Sequence, residues 1–410
     1  MRPDTEQELA EALRGAAGSL RIVGGGTRAI GRVPPGDVLE TGALAGISLY
    51  EPGALTMIAA AGTPLAEIKA ALASDTQRVA FEPPDMRRLL GREGVATIGG
   101  VVAANASGPR RIQVGACRDH ILGLRFVDGM GRVIRNGGRV MKNVTGYDLV
   151  KLLCGSHGSL GVLSEISFKV LPAPETQASL CLHGLDEAQA VAAMAAALGS
   201  PYEVTGAAHG VIGTGFASVT RLRLEGFSPS VAYRLRELAR LLAPFGEAEL
   251  EEDASLSRLK WQEMRDVTAF ADHPFVARLS IKPSDFAGLY FDAANLFFAR
   301  PPLRRGFDVM LDWGGGLVWV AATARQLAEN AQVAPDRGVE PELHGAKLLF
   351  EYLQSFCAVE CGHATLLKAP PGLAARVQPF QPESAGIAAL TRGLRAKFDP
   401  RGILNQGVMG

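Results

Sequence analysis

Ala96-Thr97-Ile98-Gly99-Gly100-Val101-Val102-Ala103-Ala104-Asn105-Ala106-Ser107-Gly108 sets two adjacent glycines before a run of small residues and closes on a second turn, Asn105 to Gly108. Glycine lacks a Cβ, so the backbone can take φ > 0 and approach another body closely. Consecutive N–H groups exposed in such turns form concave anion sites, with phosphate the usual guest. A tight turn feeding a small-residue helix would be written in the same letters. An earlier turn, Gly24-Gly25-Gly26-Thr27, decides between the two. Two phosphate-sized turns in one domain point to a pyrophosphate held between them.

The residues around these turns fix what kind of domain carries them. Thr5-Glu6-Gln7-Glu8 is a capping box opening a helix that Gly15 to Gly18 stop. Ser19 to Val23 alternates as a strand and runs into the triple glycine. Gly24-x-Gly26-x-x-Ala29 matches the dinucleotide fingerprint of a Rossmann unit, which requires a helix directly after the turn. Gly31, Pro34, Pro35 and Gly36 follow instead, and no helix runs through them. A Rossmann unit is therefore excluded by its own context. Short strands are expected at 38–39, 47–49 and 55–61. Thr63 is the expected cap and Pro64 the first residue of a helix carrying Leu65, Ile68 and Leu72 on one stripe. Leu124 to Val127 and Arg132 to Ile134 flank Asp128-Gly129, a hairpin signal. Asp148 caps a short helix ending at Gly155, and Pro172 and Pro174 read as a linker. Many short strands with few helices make this half α+β, not doubly wound α/β.

Composition bounds the rest. A chain of 410 residues exceeds one ordinary core, so two domains are expected. It holds 48 glycines, well above the usual share of roughly 7%, and they crowd the first 165 positions. Lys+Arg 42 balance Asp+Glu 42, so nucleic acid is not an indicated partner. No apolar run of about 18 residues is present to cross a bilayer, and Met1 to Glu6 has no export signal. The five cysteines are scattered and suit reduced thiols in a cytoplasm. Cys357 and Cys361, four apart on an expected helix, share a face as small core residues. The seven histidines give no metal-ligand spacing, so no metal site is expected.

The second half mixes strands (219–224, 276–281, 309–311, 317–320, 364–367) with helices (from Ser228, 284–298, 345–359, 387–398). Gly314-Gly315-Gly316 turns one hairpin. This pattern predicts an antiparallel sheet with helices on one face.

Six motifs now stand in order: Gly24-Gly25-Gly26-Thr27, Ala61-Gly62-Thr63, Thr97-Ile98-Gly99-Gly100, Asn105-Ala106-Ser107-Gly108, Gly158-Ser159-Leu160-Gly161-Val162 and Phe398-Asp399-Pro400-Arg401-Gly402-Ile403-Leu404-Asn405. Together they resemble the vanillyl-alcohol-oxidase type of FAD-binding oxidoreductase, with its PCMH-type FAD-binding domain. Lys142-Asn143-Val144-Thr145-Gly146-Tyr147-Asp148 and Gly108-Pro109-Arg110-Arg111 narrow the resemblance to the E-subunit family of bacterial glycolate oxidase. The resemblance implies an FAD-binding domain over 1–172 and an antiparallel α+β cap domain over 173–410, whose tail (about 398–408) returns to the first. It implies that amides of Gly24, Gly25, Gly26 and Thr27 hold the FAD pyrophosphate, with Thr97, Ile98, Gly99 and Gly100 closing over it. Asn105, Ser107 and Gly108 would lie along the ribityl and ring side. Val162 would offer its backbone to the flavin or adenine edge, and Asn405 would bring the tail home. Thr27 stands where covalently flavinylated relatives have histidine, so the FAD is expected to be non-covalent.

Relatives that oxidise 2-hydroxy acids carry two histidines around a Gly-Asp-Gly-Asn turn in the cap, and an acidic-His-Gly segment later. There a base takes the hydroxyl proton while hydride leaves for the flavin. The matching hairpin here reads Asp312-Trp313-Gly314-Gly315-Gly316-Leu317-Val318-Trp319, without histidine, and the later segment reads Glu360-Cys361-Gly362-His363-Ala364. Only His363 is placed to act as a base, and a histidine beside a strand also serves as a structural hydrogen-bonding residue. No catalytic residue is therefore assigned. The expected role is an electron-relay or assembly subunit of a glycolate-oxidising complex. Its expected partners are a second FAD subunit, an iron–sulfur subunit and a small 2-hydroxy acid. It would be cytoplasmic, at most peripheral on the inner face of the membrane through its partners. A stand-alone 2-hydroxy-acid oxidoreductase, or a structural subunit with a vestigial pocket, remain the alternatives.

Overall fold

A computed structural model describes residues 1–139, 146–211, 218–289, 306–334, 336 and 338–409. The motif over 142–145 and the C-terminal part of the helix expected over 284–298 lie outside the described residues. The chain divides into two compact units. One holds Met1–Gly108, Val114–Ala173 and Glu383–Gly410, and the other Pro109–Gln113 and Pro174–Pro382.

In the first unit, the helix Glu6–Gly15 starts where Thr5 accepts a hydrogen bond from the Glu8 amide. Strands Leu20–Val23 and Asp37–Glu40 then pair in parallel. A parallel pair needs a crossover, usually a helix. Here the crossover is residues 24–36, kept non-helical by its glycines and prolines, so the glycine-rich turn is itself the connection. A five-stranded antiparallel sheet follows, in the order Ile47–Glu51, Thr56–Ala60, Val162–Lys169, Ile121–Val127, Val133–Gly137. Its last pair is the expected hairpin, held by the Asp128 carboxylate accepting from the amides of Met130 and Arg132. The core packs Met57, Ile68, Leu72, Val101, Phe126 and Phe168 between this sheet and the helices Leu65–Ala73 and Ile98–Ala103. Thr63 does not cap the helix Leu65–Ala73: its hydroxyl donates towards the carbonyls of Gly46 and Ala60, and Pro64 is the cap.

The tail completes this unit. The helix Ala385–Phe398 leads to Asp399, whose carboxylate accepts from the amides of Ile403 and Leu404. Arg401 donates to the carbonyls of Leu13 and Arg14, two of the unsatisfied acceptors at the end of the first helix. Leu404 then bridges Leu20 in parallel, extending the Leu20–Val23 pair by a third segment. The tail belongs to this unit from Glu383 onward.

The second unit is an eight-stranded antiparallel sheet. Its order is Ala248–Glu251, Thr176–His183, Ser218–Gly226, Gly206–Val211, Asp308–Asp312, Leu317–Ala322, Phe275–Ser280, His363–Lys368. Alternate residues such as Leu180, Leu222, Leu311, Val318 and Leu279 face helices Ser228–Leu242 and Pro341–Val359 in one core. The opposite face mixes buried apolar residues such as Met310, Leu317 and Trp319 with polar ones. There Arg223 is fully buried with its guanidinium 4.5 Å from the Trp261 ring. Trp261 in turn donates to Ser179, which shares a hydrogen bond with Ser257. Cys357 is buried in the Pro341–Val359 helix, whereas Cys361 lies beyond its end, exposed and with φ 54°, so the two do not share a helical face.

Candidate cofactor site

A cavity of about 360 Å³ opens in the first unit. This is within the size range of small-molecule and cofactor sites. The crossover 24–36 forms one wall, Thr97, Gly99 and Gly100 a second, and His157, Gly158, Gly161 and Val162 a third, with Asn405 from the tail.

The two glycine turns meet. A Cβ built on Gly24 would stand 2.9 Å from Thr97 Oγ1 and 4.0 Å from the Gly100 amide nitrogen. One built on Gly25 would sit 1.5 Å from the Val95 carbonyl oxygen, and Gly26 has φ +72°. These positions exclude side chains by contact or conformation, which is why the letters are glycine. Among the described residues, the amides of Gly24, Gly25, Gly26 and Thr27 find no protein acceptor. Backbone donors are rarely left unmatched away from water. A row of them lining a cavity is a cradle for an anion.

The second turn opens a helix. Thr97 is the N-cap of the helix Ile98–Ala103, its hydroxyl accepting from the Gly100 amide at 3.2 Å. The Ile98 amide donates to Thr63 and the Gly99 amide to Ala61. The amides of Ile98, Gly99 and Gly100 are thus all taken up within the protein, while Thr97, Gly99 and Gly100 line the cavity. Gly99 is small for packing, since a Cβ there would lie 2.7 Å from the Ala61 carbonyl oxygen. Ile98 is buried in the core and outside the cavity lining. Asn105, Ser107 and Gly108 are also outside the lining. Asn105, at φ 46°, accepts from the Arg118 amide; Ser107 accepts from the Cys117 amide; the Gly108 amide donates to Phe81. These contacts hold a turn at the end of the helix Ile98–Ala103.

Asn405 is brought to the cavity as expected. Its side chain accepts from the Ile22 amide and donates to the His157 carbonyl, both at 2.7 Å. Gly158 is required beneath it, at φ +74° and with a Cβ only 2.9 Å from Asn405 Nδ2. Gln406, where the family commonly has proline, accepts from the Ser19 hydroxyl and leaves this docking intact.

The sequence did not single out the charge. Arg21, Arg28, Arg32 and Arg92 line the cavity, and no Asp or Glu does among the described residues. Arg28 also donates to the Thr27 hydroxyl and to the Pro84 carbonyl, which fixes the end of the glycine turn. The Arg21 Nε is buried without a hydrogen-bond partner among the described residues. Such a field suits a diphosphate. Three of the arginines are spread over 21–32 and the fourth is Arg92, so no local motif announces them. Among the described residues, no three His, Cys, Asp or Glu side chains gather as a metal-ligand set, and no helix is long and apolar enough to cross a membrane.

A family model described as "FAD binding domain" matches residues 1–137. The chain is 32% identical to glycolate oxidase subunit GlcE of Escherichia coli (strain K12) over 412 residues, covering 99% of this chain and 97% of that one. Over 100 residues it is 41% identical to glycolate oxidase subunit GlcD of Bacillus subtilis (strain 168), covering 24% of this chain and 20% of that one. Over 112 residues it is 38% identical to D-lactate dehydrogenase of Anaerostipes hadrus, covering 27% and 22%. A solved structure of alkyldihydroxyacetonephosphate synthase superposes with a TM-score of 0.68 at 15% identity, covering 99% of this chain and 76% of that one, a likeness of fold. The chain is an FAD-binding oxidoreductase belonging to the family of glycolate oxidase subunit GlcE.

Proposed function

We propose that this chain holds FAD non-covalently as one subunit of an assembly that oxidises glycolate, and that it relays electrons or completes the assembly while a sister subunit carries out the main substrate oxidation. The observation that carries the proposal is the cavity wall of unmatched amides at Gly24 to Thr27, ringed by arginines. When bound, FAD supplies the two-electron acceptor chemistry. Residues 1–172 with the tail would form the FAD domain and the intervening residues the cap. The Gly24–Thr27 amides would take the diphosphate oxygens, and Arg21 and Arg28 would balance their charge. Thr97, Gly99 and Gly100 would contribute a close wall, not donors. Val162 and Gly161 would present main chain, and Asn405 would lock the tail across the opening. Thr27 has no atom able to form the histidyl link, so nothing at that position tethers the cofactor.

The secondary role in oxidation follows from the hairpin Asp308–Ala322. Its turn is built from Trp313 at φ 52°, Gly314 and Gly315, and carries no proton acceptor of histidine type. The partners are a second flavoprotein and an iron–sulfur subunit, and contact with the membrane runs through them. Purification of the chain alone and with its partners tests this. The expected result is a yellow protein whose flavin passes into the supernatant on acid precipitation, and which glycolate bleaches rapidly only in the assembly. Rapid bleaching of the isolated chain would overturn the division of labour, and a colourless chain from the intact assembly would overturn the cofactor role.

A further inference from the structure

The helix Ala385–Phe398 is 14 residues long, and none of them is buried. Isolated helices of that length are marginal in water, and most protein helices owe their stability to an apolar face packed on the rest of the fold. This one has little else to hold it. Gly386 and Gly393 are poor helix formers, and nothing lies within 4 Å of a Cβ built on either, so close packing does not call for them. Ser384, at the N-cap position, makes no side-chain capping bond. The anchoring comes at the far end, where the Phe398 ring lies 6.1 Å from that of Phe126 and the Asp399 carboxylate holds the amides of Ile403 and Leu404.

The large apolar side chains of this helix face water instead. Ile387 is 55% exposed, Leu390 71% and Leu394 38%. Their spacing of three and four residues puts them on one side of the helix, in a stripe about 10 Å long. Anchors at i, i+3 and i+7 are how an amphipathic helix seats itself in a groove of another protein. The charges around the stripe have one sign: residues 385–398 include Arg392, Arg395 and Lys397 and no Asp or Glu. We propose that the helix Ala385–Phe398 is a docking element, which lays Ile387, Leu390 and Leu394 into an apolar groove of a partner protein whose rim carries carboxylates.

Charge disfavours a second copy of this chain as the occupant. Two such helices face to face would bring the three cations of each together, with no carboxylate on either helix to separate them. Area disfavours a lipid surface. Three part-exposed aliphatic side chains offer less apolar surface than one myristoyl chain, which itself binds membranes only marginally. Three cations also fall short of the clusters of about 4–8 that hold a protein to acidic lipid. That the partner belongs to the glycolate-oxidising assembly rests on the function proposed above; the chemistry of its groove does not.

The full chain, purified alone and co-expressed with the second flavoprotein and the iron–sulfur subunit, tests this. In the assembly the amides of 385–398 should exchange with deuterium at least tenfold more slowly than in the chain alone. Leu390→Glu should weaken association with the purified partners at least tenfold, the worth of one buried leucine side chain. Wild-type affinity should fall as salt rises, and the double variant Arg392→Glu, Lys397→Glu should bind more weakly and lose that dependence. Ala389→Gln, which points away from the stripe, should bind as wild type does. Hydrogen exchange needs no substitution and decides the matter if a variant melts early. Equal exchange in chain and assembly, or equal affinity of wild type and Leu390→Glu, would overturn the proposal. So would a dimer of the chain alone that Leu390→Glu dissolves, or binding of the chain alone to phosphatidylserine vesicles that Leu390→Glu abolishes. Glycolate bleaching of the same samples separates the two readings. An assembly that forms through the stripe and is not bleached refutes the proposed function and keeps the docking element. A bleached assembly indifferent to Leu390→Glu does the reverse, and a wild-type chain that joins no partner overturns both.

Discussion

Replacing Gly25 by alanine tests the glycine cradle most directly. The new Cβ would lie 1.5 Å from the Val95 carbonyl oxygen and 2.6 Å from the Val95 carbonyl carbon, whereas ordinary contact begins at 3.4 Å. Turn and neighbour must therefore separate by about 1.9 Å, the difference between 3.4 and 1.5 Å. Amide-to-phosphate hydrogen bonds hold only over about 2.7–3.2 Å, so a shift of that size breaks those nearest the substitution. Losing two bonds to a charged group, at about 1.5–3 kcal/mol each, amounts to about 3–6 kcal/mol, or roughly 10²–10⁴ in FAD affinity. Overpacking adds about 1–3 kcal/mol to the cost in the folded protein itself. Flavin per chain after gel filtration and titration of the flavin-free protein by fluorescence quenching measure the first effect, and thermal melting the second. Gly15→Ala is the matched control, since nothing lies within 4 Å of a Cβ there, and both readouts should stay at wild-type values. A Gly25→Ala protein that retains a full complement of FAD at wild-type affinity would refute the cradle.

Three further expectations concern the same chain. Asn405→Ala removes the bridge between Ile22 and His157 and leaves one donor and one acceptor unmatched, so the melting temperature should fall by roughly 3–10 °C; no change would show the tail to be docked by other contacts. Glu6 is held below its ordinary pKa of 4.5 chiefly by its hydrogen bonds from Arg125, against burial, with Ser164 also donating. A carboxylate shifted down in the folded state stabilises it above the unfolded value, and that contribution disappears as pH falls through the lower folded value. Glu6→Gln should therefore melt lower than wild type at neutral pH and show a flatter decline below pH 4.5; parallel acid profiles would contradict this. Burial drives the thiol of Cys117 upward, those of Cys154 and Cys357 to about 12 and that of Cys181 to about 11, while Cys361 is exposed. A disulfide reagent at pH 8 should accordingly modify Cys361 rapidly in the native protein and the other four only after denaturation.

Much of this could be read from residues because single letters had single uses. Gly31, Pro34 and Pro35 leave no room for a helix after Gly24-Gly25-Gly26, and the structure puts a loop crossover there. Asp128-Gly129 and Gly314-Gly315-Gly316 turn hairpins as expected. Thr97 to Gly100 was ambiguous because a helix N-terminus and an anion cradle both need small residues with free amides. The deciding partners, Ala61 and Thr63, lie more than thirty positions away. Thr63 misled for a related reason: its hydroxyl could cap a helix, but the nearby Ala60 carbonyl and the distant Gly46 carbonyl claimed it. The strand 176–183 was not read, although Ala178, Leu180 and Leu182 alternate there with Gln177, Ser179 and His183. The arginines around the cavity come together only once the 21–32 segment folds against Arg92. Pairing across the chain is where sequence spacing stops being informative.

The closing of the cavity by Asn405 has a consequence for synthesis. The Leu20–Val23 strand and the glycine turn leave the ribosome long before the segment that flanks them, Asn405 standing 383 residues after Ile22. A chain cut before Asn405 should therefore have its glycine turn made but its pocket open, and should hold flavin more weakly than one that includes the tail.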